Sequence, residues 1–144
     1  MSAPGPLVFV DTNILVYAHD SAAGERGEIA RRLLRTLWNE GTGALSTQVL
    51  QEFYAVATRK LKPPMTRGEA RQIVADYSIW CVVDTDPLLI VSASRLEEEH
   101  SLGFWDSLII EAALRSGAET LVSEDLQDGR AFGTLSVRNP FGEG

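Results

Sequence analysis

Apolar side chains fall along this chain in two alternating rhythms. The short dense runs Leu7–Val10, Trp80–Val83 and Thr120–Val122 read as buried strands, with Ala44-Leu45 a shorter one and Leu135–Val137 the last. Between them apolar positions recur at helical spacing. Ile29, Leu33, Leu34 and Leu37 set a helix over Glu25 to Trp38, stopped by Gly41. A first helix starts at about Thr12, and Ser46 or Thr47 caps another that runs to about Leu61, where Pro63-Pro64 ends it.

Thr66 opens a further helix through Ile73 and Tyr77, with Glu69 in the capping-box position. Asp86-Pro87 starts one that reaches roughly His100, with proline in its first turn. Gly103 introduces the last, from about Trp105 to Arg115, closed by Gly117. Strand and helix alternate without a repeat or a linker. That order predicts one α/β domain over residues 1–144, a sandwich with a mostly parallel sheet covered by helices on both faces. Residues 1–6, rich in Pro and Gly, read as a loose leader without the basic start and apolar stretch of a signal peptide.

Composition narrows the class. No apolar run is long enough to span a membrane, and the single cysteine, Cys81, excludes an internal disulfide and suits a reducing cytoplasm. Cys81 sits between Ile79-Trp80 and Val82-Val83, so it is expected in the core. With 13 basic against 20 acidic residues the net charge is −7, which argues against a broad, sequence-independent grip on nucleic acid. One local patch runs the other way: Arg59, Lys60, Lys62, Arg67 and Arg71, with Glu69 the only acid among them. Such a run is usually a solvated face; it also suits a nucleic acid backbone.

The acids carry the chemistry. Glu97, Glu98 and Glu99 form a solvated helix face, but four others fall where strands stop and helices begin. Asp11 closes the first strand in "VDTNILVYA" and Asp125 follows a later strand in "LVSEDLQDG". Strand ends of a parallel sheet share one edge, so the two can converge. Asp106, in "GFWDSLIIEAA", lies in a helix's first turn, and its bulky neighbours Phe104 and Trp105 predict partial burial. Glu52, in "STQVLQEFYAVATRK", flanks an apolar stripe between Val49 and Val56.

Each acid alone is accounted for by capping or by surface charge. Together they repel one another unless a cation sits among them. His19 and His100 are isolated, so no zinc set exists, and an all-oxygen set favours Mg²⁺ or Mn²⁺. Such ions polarise a phosphodiester, activate water and stabilise the leaving oxygen.

In these stretches, and in "VRNPF" near the end, the sequence resembles the PIN-domain family, and within it the VapC-type ribonuclease toxins of toxin–antitoxin pairs. The resemblance implies a sheet of about five parallel strands and a Mg²⁺- or Mn²⁺-dependent endoribonuclease. It makes Asp11, Asp106 and Asp125 the metal ligands, with Glu52 acting directly or through water on the metal. Thr12, Asn13 and Ser123 become polar supports, and Asp128 an extra acid outside the primary set. An RNA substrate, a cognate antitoxin protein that blocks the site and a homodimer are implied as partners. A non-catalytic PIN-like module that binds RNA or protein is the alternative, and a DNA nuclease would share the chemistry.

Overall fold

The computed structural model describes residues 5–142, so residues 1–4 of the expected leader lie outside the described residues. Twelve elements follow in order. They are β1 (Val8–Val10), α1 (Thr12–His19), α2 (Glu25–Glu40), β2 (Gly43–Ser46), α3 (Thr47–Arg59), α4 (Arg67–Tyr77), β3 (Cys81–Val83), α5 (Pro87–His100), α6 (Phe104–Ser116), β4 (Thr120–Val122), β5 (Ala131–Phe132) and β6 (Leu135–Arg138).

The sheet order is β3-β2-β1-β4-β6-β5. Five strands are parallel, as expected, and the two-residue β5 adds a sixth, antiparallel to β6. The chain builds outward from β1 through β2 to β3, then crosses to the other side of β1 to lay down β4 and β6. Right-handed crossovers therefore place α1 to α4 on one face and α5 and α6 on the other. The strand order reverses between β1 and β4, and at such a switch point the loops leaving the carboxyl ends part into a crevice. β1 and β4 are in register through Val10 and Val122, so Asp11 and Ser123 are the next residues out of the sheet.

Local chemistry explains the helices that bring acids to this edge. Ser46 caps α3 by accepting from Val49 N at 3.3 Å, and Val49, Leu50, Phe53 and Ala57 bury the inner face. Asp86 caps α5 in the same way, accepting from Leu89 N at 2.8 Å. Thr66 accepts from Glu69 N at 3.1 Å and donates to Glu69 Oε1 at 2.8 Å, a variant of the expected capping box. Helix α2 ends at Gly41, whose φ of 70° is the left-handed cap that a side chain disfavours. Phe9, Val10, Ile14, Leu45, Phe53, Ile110, Leu121 and Leu135 are fully buried between sheet and helices.

One expectation fails: Cys81 is exposed. It opens an edge strand in which only Val83 is buried, while the preceding Trp80 packs its ring over Gly43. Ile79 before it is itself 74% exposed, so apolar neighbours in sequence do not cover the thiol.

Candidate active site

Asp11 is only 7% exposed, and its neighbours hold it from three directions. Thr12 N donates to Oδ1 at 2.7 Å, Ser123 Oγ donates to Oδ2 at 2.7 Å, and Asn13 Nδ2 approaches Oδ2 at 3.4 Å. Capping thus explains part of this residue. It has the extended backbone of an N-cap, but its side chain bonds to the first helical N–H rather than to the second or third. Burial pushes its pKa up from 3.8 to about 6, against the Ser123 and Thr12 hydrogen bonds, and the charges of Asp125 and Glu52 add to the rise. Among the described residues no ion pair is made to Asp11, Glu52, Asp106 or Asp125.

The polar residues that follow Asp11 tie the other acids to it. Asn13 Nδ2 donates to Asp125 Oδ2 at 3.0 Å, and Asn13 Oδ1 accepts from Glu124 N at 3.2 Å. Ser123, fully buried, also accepts from Asp125 N at 3.2 Å. Thr12 Oγ1 donates to Glu52 Oε1 at 3.2 Å. Asp11, Asp125 and Glu52 are therefore joined through Thr12, Asn13 and Ser123, the three supports expected from sequence.

Asp106 stands apart from that network. It sits in the first turn of α6 and is exposed, not partly buried as its neighbours suggested, because Trp105 beside it is itself 67% exposed. Its pKa is nevertheless raised, first by desolvation of the carboxyl and then by the charge of Asp125. Among the described residues, no three acid, histidine or cysteine side chains form a ready-made metal cage.

Asp128 lies outside the network, its Oδ1 accepting from Asn139 N at 2.9 Å. His19 packs edge-on against Phe53 and Tyr77, and His100 against Phe132, so both histidines are packing residues. Sequence reasoning missed Glu124. Its carboxylate accepts from Tyr17 Oη at 2.6 Å and pairs with Arg26 Nε at 2.5 Å. Burial raises its pKa, but the Tyr17 and Arg26 contacts outweigh that and hold it below the ordinary glutamate value. The available signal was Tyr17, one helical turn beyond Asn13 on α1.

The donor set fits a hard divalent cation. It is all oxygen, and a buried carboxylate with a raised pKa and no cationic partner is a costly arrangement that positive charge relieves.

The sequence matches the PIN domain family over residues 8–128. Among solved structures, the chain is similar to VapC20 of Mycobacterium tuberculosis, described as a sarcin-ricin-loop-cleaving toxin, at 19% identity and a TM-score of 0.61, covering 79% of this chain and 86% of that one. It is similar to a toxin–antitoxin complex from Klebsiella pneumoniae at 20% identity and a TM-score of 0.68, covering 92% and 97%. VapBC2 from Rickettsia felis, bound to a fragment of its promoter DNA, matches at 21% identity and 0.64, covering 92% and 98%. A search of curated protein sequences finds no match. With the family match spanning most of its length, and with the fold shared with these toxins, the chain belongs to the PIN-domain family, a family of nuclease type.

Proposed function

We propose that this protein is a Mg²⁺- or Mn²⁺-dependent endoribonuclease and the toxin of a toxin–antitoxin pair, cutting RNA in the cytoplasm as a single-domain subunit of a homodimer. The observation that carries the reading is Asp11: a buried carboxylate at the switch point, fixed by Ser123 and Thr12, with two further acids beside it. Asp11, Asp106 and Asp125 would hold the metal. When bound, it supplies positive charge to polarise the scissile phosphodiester and to activate water.

The chain's own residues set the geometry. Ser123 and Asn13 fix the orientation of the Asp11 and Asp125 carboxylates by hydrogen bonds, the support that side chains holding a cation would need. Glu52, oriented at Oε1 by Thr12, accepts the proton of the attacking water at Oε2. Asp106 is assigned by its place in the first turn of α6 and by its electrostatic coupling to Asp125. RNA reaches the site along α3. Arg59 lies two turns beyond Glu52 on the same helix face, ~10 Å along the axis, and is exposed.

The likeness to toxin–antitoxin complexes supports a small protein antitoxin as partner, one that sets a basic side chain among the acids. One observation favours the alternative of a non-catalytic PIN-like module binding RNA or protein: among the described residues no three acid, histidine or cysteine side chains are grouped closely enough to hold a metal ion. Cleavage of a mixed RNA by purified protein with Mg²⁺, Mn²⁺ or EDTA, beside Asp11→Asn and Asp106→Asn, separates the two. Metal-dependent cleavage lost in both variants supports the nuclease. Metal-independent cleavage, or cleavage indifferent to both substitutions, contradicts it.

A further inference from the structure

The ending "VRNPF" and the acid Asp128 have no part in the proposed chemistry, yet the structure links both to Glu124, the residue before Asp125. Asp128 Oδ1 accepts from Asn139 N at 2.9 Å, and Asn139 Oδ1 accepts from Phe141 N at 2.9 Å. These two turns deliver the Phe141 ring edge-on to Tyr17, with centroids 5.3 Å apart, and beneath the Arg26 guanidinium at 5.4 Å. Tyr17 and Arg26 then grip the two carboxylate oxygens of Glu124, at 2.6 and 2.5 Å. The Glu124 backbone N–H donates to Asn13 Oδ1, while the Asn13 amide donates to Asp125 Oδ2.

From this geometry we infer that Glu124, gripped by Tyr17 and Arg26, both of which pack on Phe141, is the positioning residue for Asp125. Both oxygens of Glu124 are spent on charge-assisted bonds to side chains, so it is a poor metal ligand despite its place between Ser123 and Asp125. What it does instead is anchor the loop after β4 to α1 and to the first turn of α2. Phe141 packs against the guanidinium of Arg26, which holds that side chain in place to meet Glu124. The turn at Asn139 to Phe141 acts as a strap on Tyr17 and Arg26, and through Glu124 it bears on Asp125. An Arg–carboxylate pair on the surface usually contributes little to stability. The consequence of this one is therefore sought in the site rather than in the melting temperature.

The inference rests on the metal-site reading above, and the test keeps the two apart. Mn²⁺ binding is measured by calorimetry for the parent protein, Asp11→Asn, Glu124→Ala, Tyr17→Phe, Phe141→Ala and Arg115→Ala. The last removes a comparable pair, Arg115 with Asp86 at 2.9 Å, far from this loop. Amide exchange of residues 123–126 is followed in parallel.

Glu124→Ala is expected to weaken Mn²⁺ binding about tenfold, the low end for residues that orient metal ligands. It should also speed exchange in the loop while the core strands stay protected. Tyr17→Phe and Phe141→Ala should move both readouts the same way by less, and Arg115→Ala should move neither. Unchanged affinity and exchange in Glu124→Ala overturn the inference, as does an equal loss in Arg115→Ala. Parent protein that binds no Mn²⁺, or binds it as well without Asp11, overturns the metal-site reading itself, and this inference with it.

Discussion

The Ser123 hydroxyl donates to Asp11 Oδ2 at 2.7 Å across the β1/β4 switch point, and both residues are buried. This bond joins the two halves of the site. It stands one register step beyond the last paired residues, Val10 and Val122, so the sheet itself sets its length. Removing it leaves a buried carboxylate oxygen with only the distant Asn13 amide for a partner. Ser123→Ala is expected to cost about 1–3 kcal/mol in urea unfolding and to weaken Mn²⁺ binding. A variant as stable as the parent, with the same metal affinity, would show that the bond only fills space.

The pH dependence of the metal-free protein follows from Asp11. Its carboxyl is raised from 3.8 to about 6, so the folded state holds the proton more tightly than the unfolded chain. The stabilising contribution is fully present below about pH 4 and is lost as the pH rises through about 6. Above that, the ionised side chain costs about 3 kcal/mol. In EDTA, Asp11→Asn should therefore be more stable than the parent at pH 7.5, with the gap closing towards pH 4.5. Equal unfolding midpoints at pH 7.5 would mean that Asp11 carries no such penalty.

The basic patch divides on the structure. Arg59 shares a face of α3 with Glu52, whereas Arg71 lines a groove between α3 and α4 with Leu50, Tyr54 and Val74. Arg59→Glu with Lys60→Glu should weaken binding of an RNA oligonucleotide in EDTA and lower the salt slope by about one unit. Arg67→Glu with Arg71→Glu should do less. Fluorescence anisotropy across a salt series checks both, and equal effects of the two pairs would return the patch to a diffuse charge cloud.

Much of this was legible in the sequence because strand ends announce themselves chemically. Asp11 follows one apolar run directly and Asp125 follows another after Ser123 and Glu124, and together they mark the sheet edge. The burial of Asp106 was not legible: apolar neighbours in sequence do not cover a side chain when one of them, Trp105, turns outward. Cys81 misled for the same reason. Strand β5 escaped notice because two residues carry no periodicity, and Ala131 and Phe132 become a strand only by pairing with Ser136 and Leu135. Glu124 went unremarked, since its partners Tyr17 and Arg26 stand about 100 residues away in the chain.

The fold and the site also separate in mutation. A Cβ on Gly43 would lie 2.4 Å from the Trp80 ring, at the amino end of β2 and away from the acids. Gly43→Ala should lower stability by about 1–3 kcal/mol through overpacking while leaving Mn²⁺ affinity intact at a temperature where the protein stays folded. Thermal unfolding with a calorimetric titration reads both, and undiminished stability would contradict the close Trp80 packing.

The most direct measurement is a calorimetric Mn²⁺ titration of the purified protein at pH 7.5, repeated with Asp11→Asn. The account predicts saturable binding to the parent and a loss of at least about tenfold in the variant, because Asp11 is the buried anchor of an oxygen-only site. Equal affinity in the two proteins, or none in either, would contradict it.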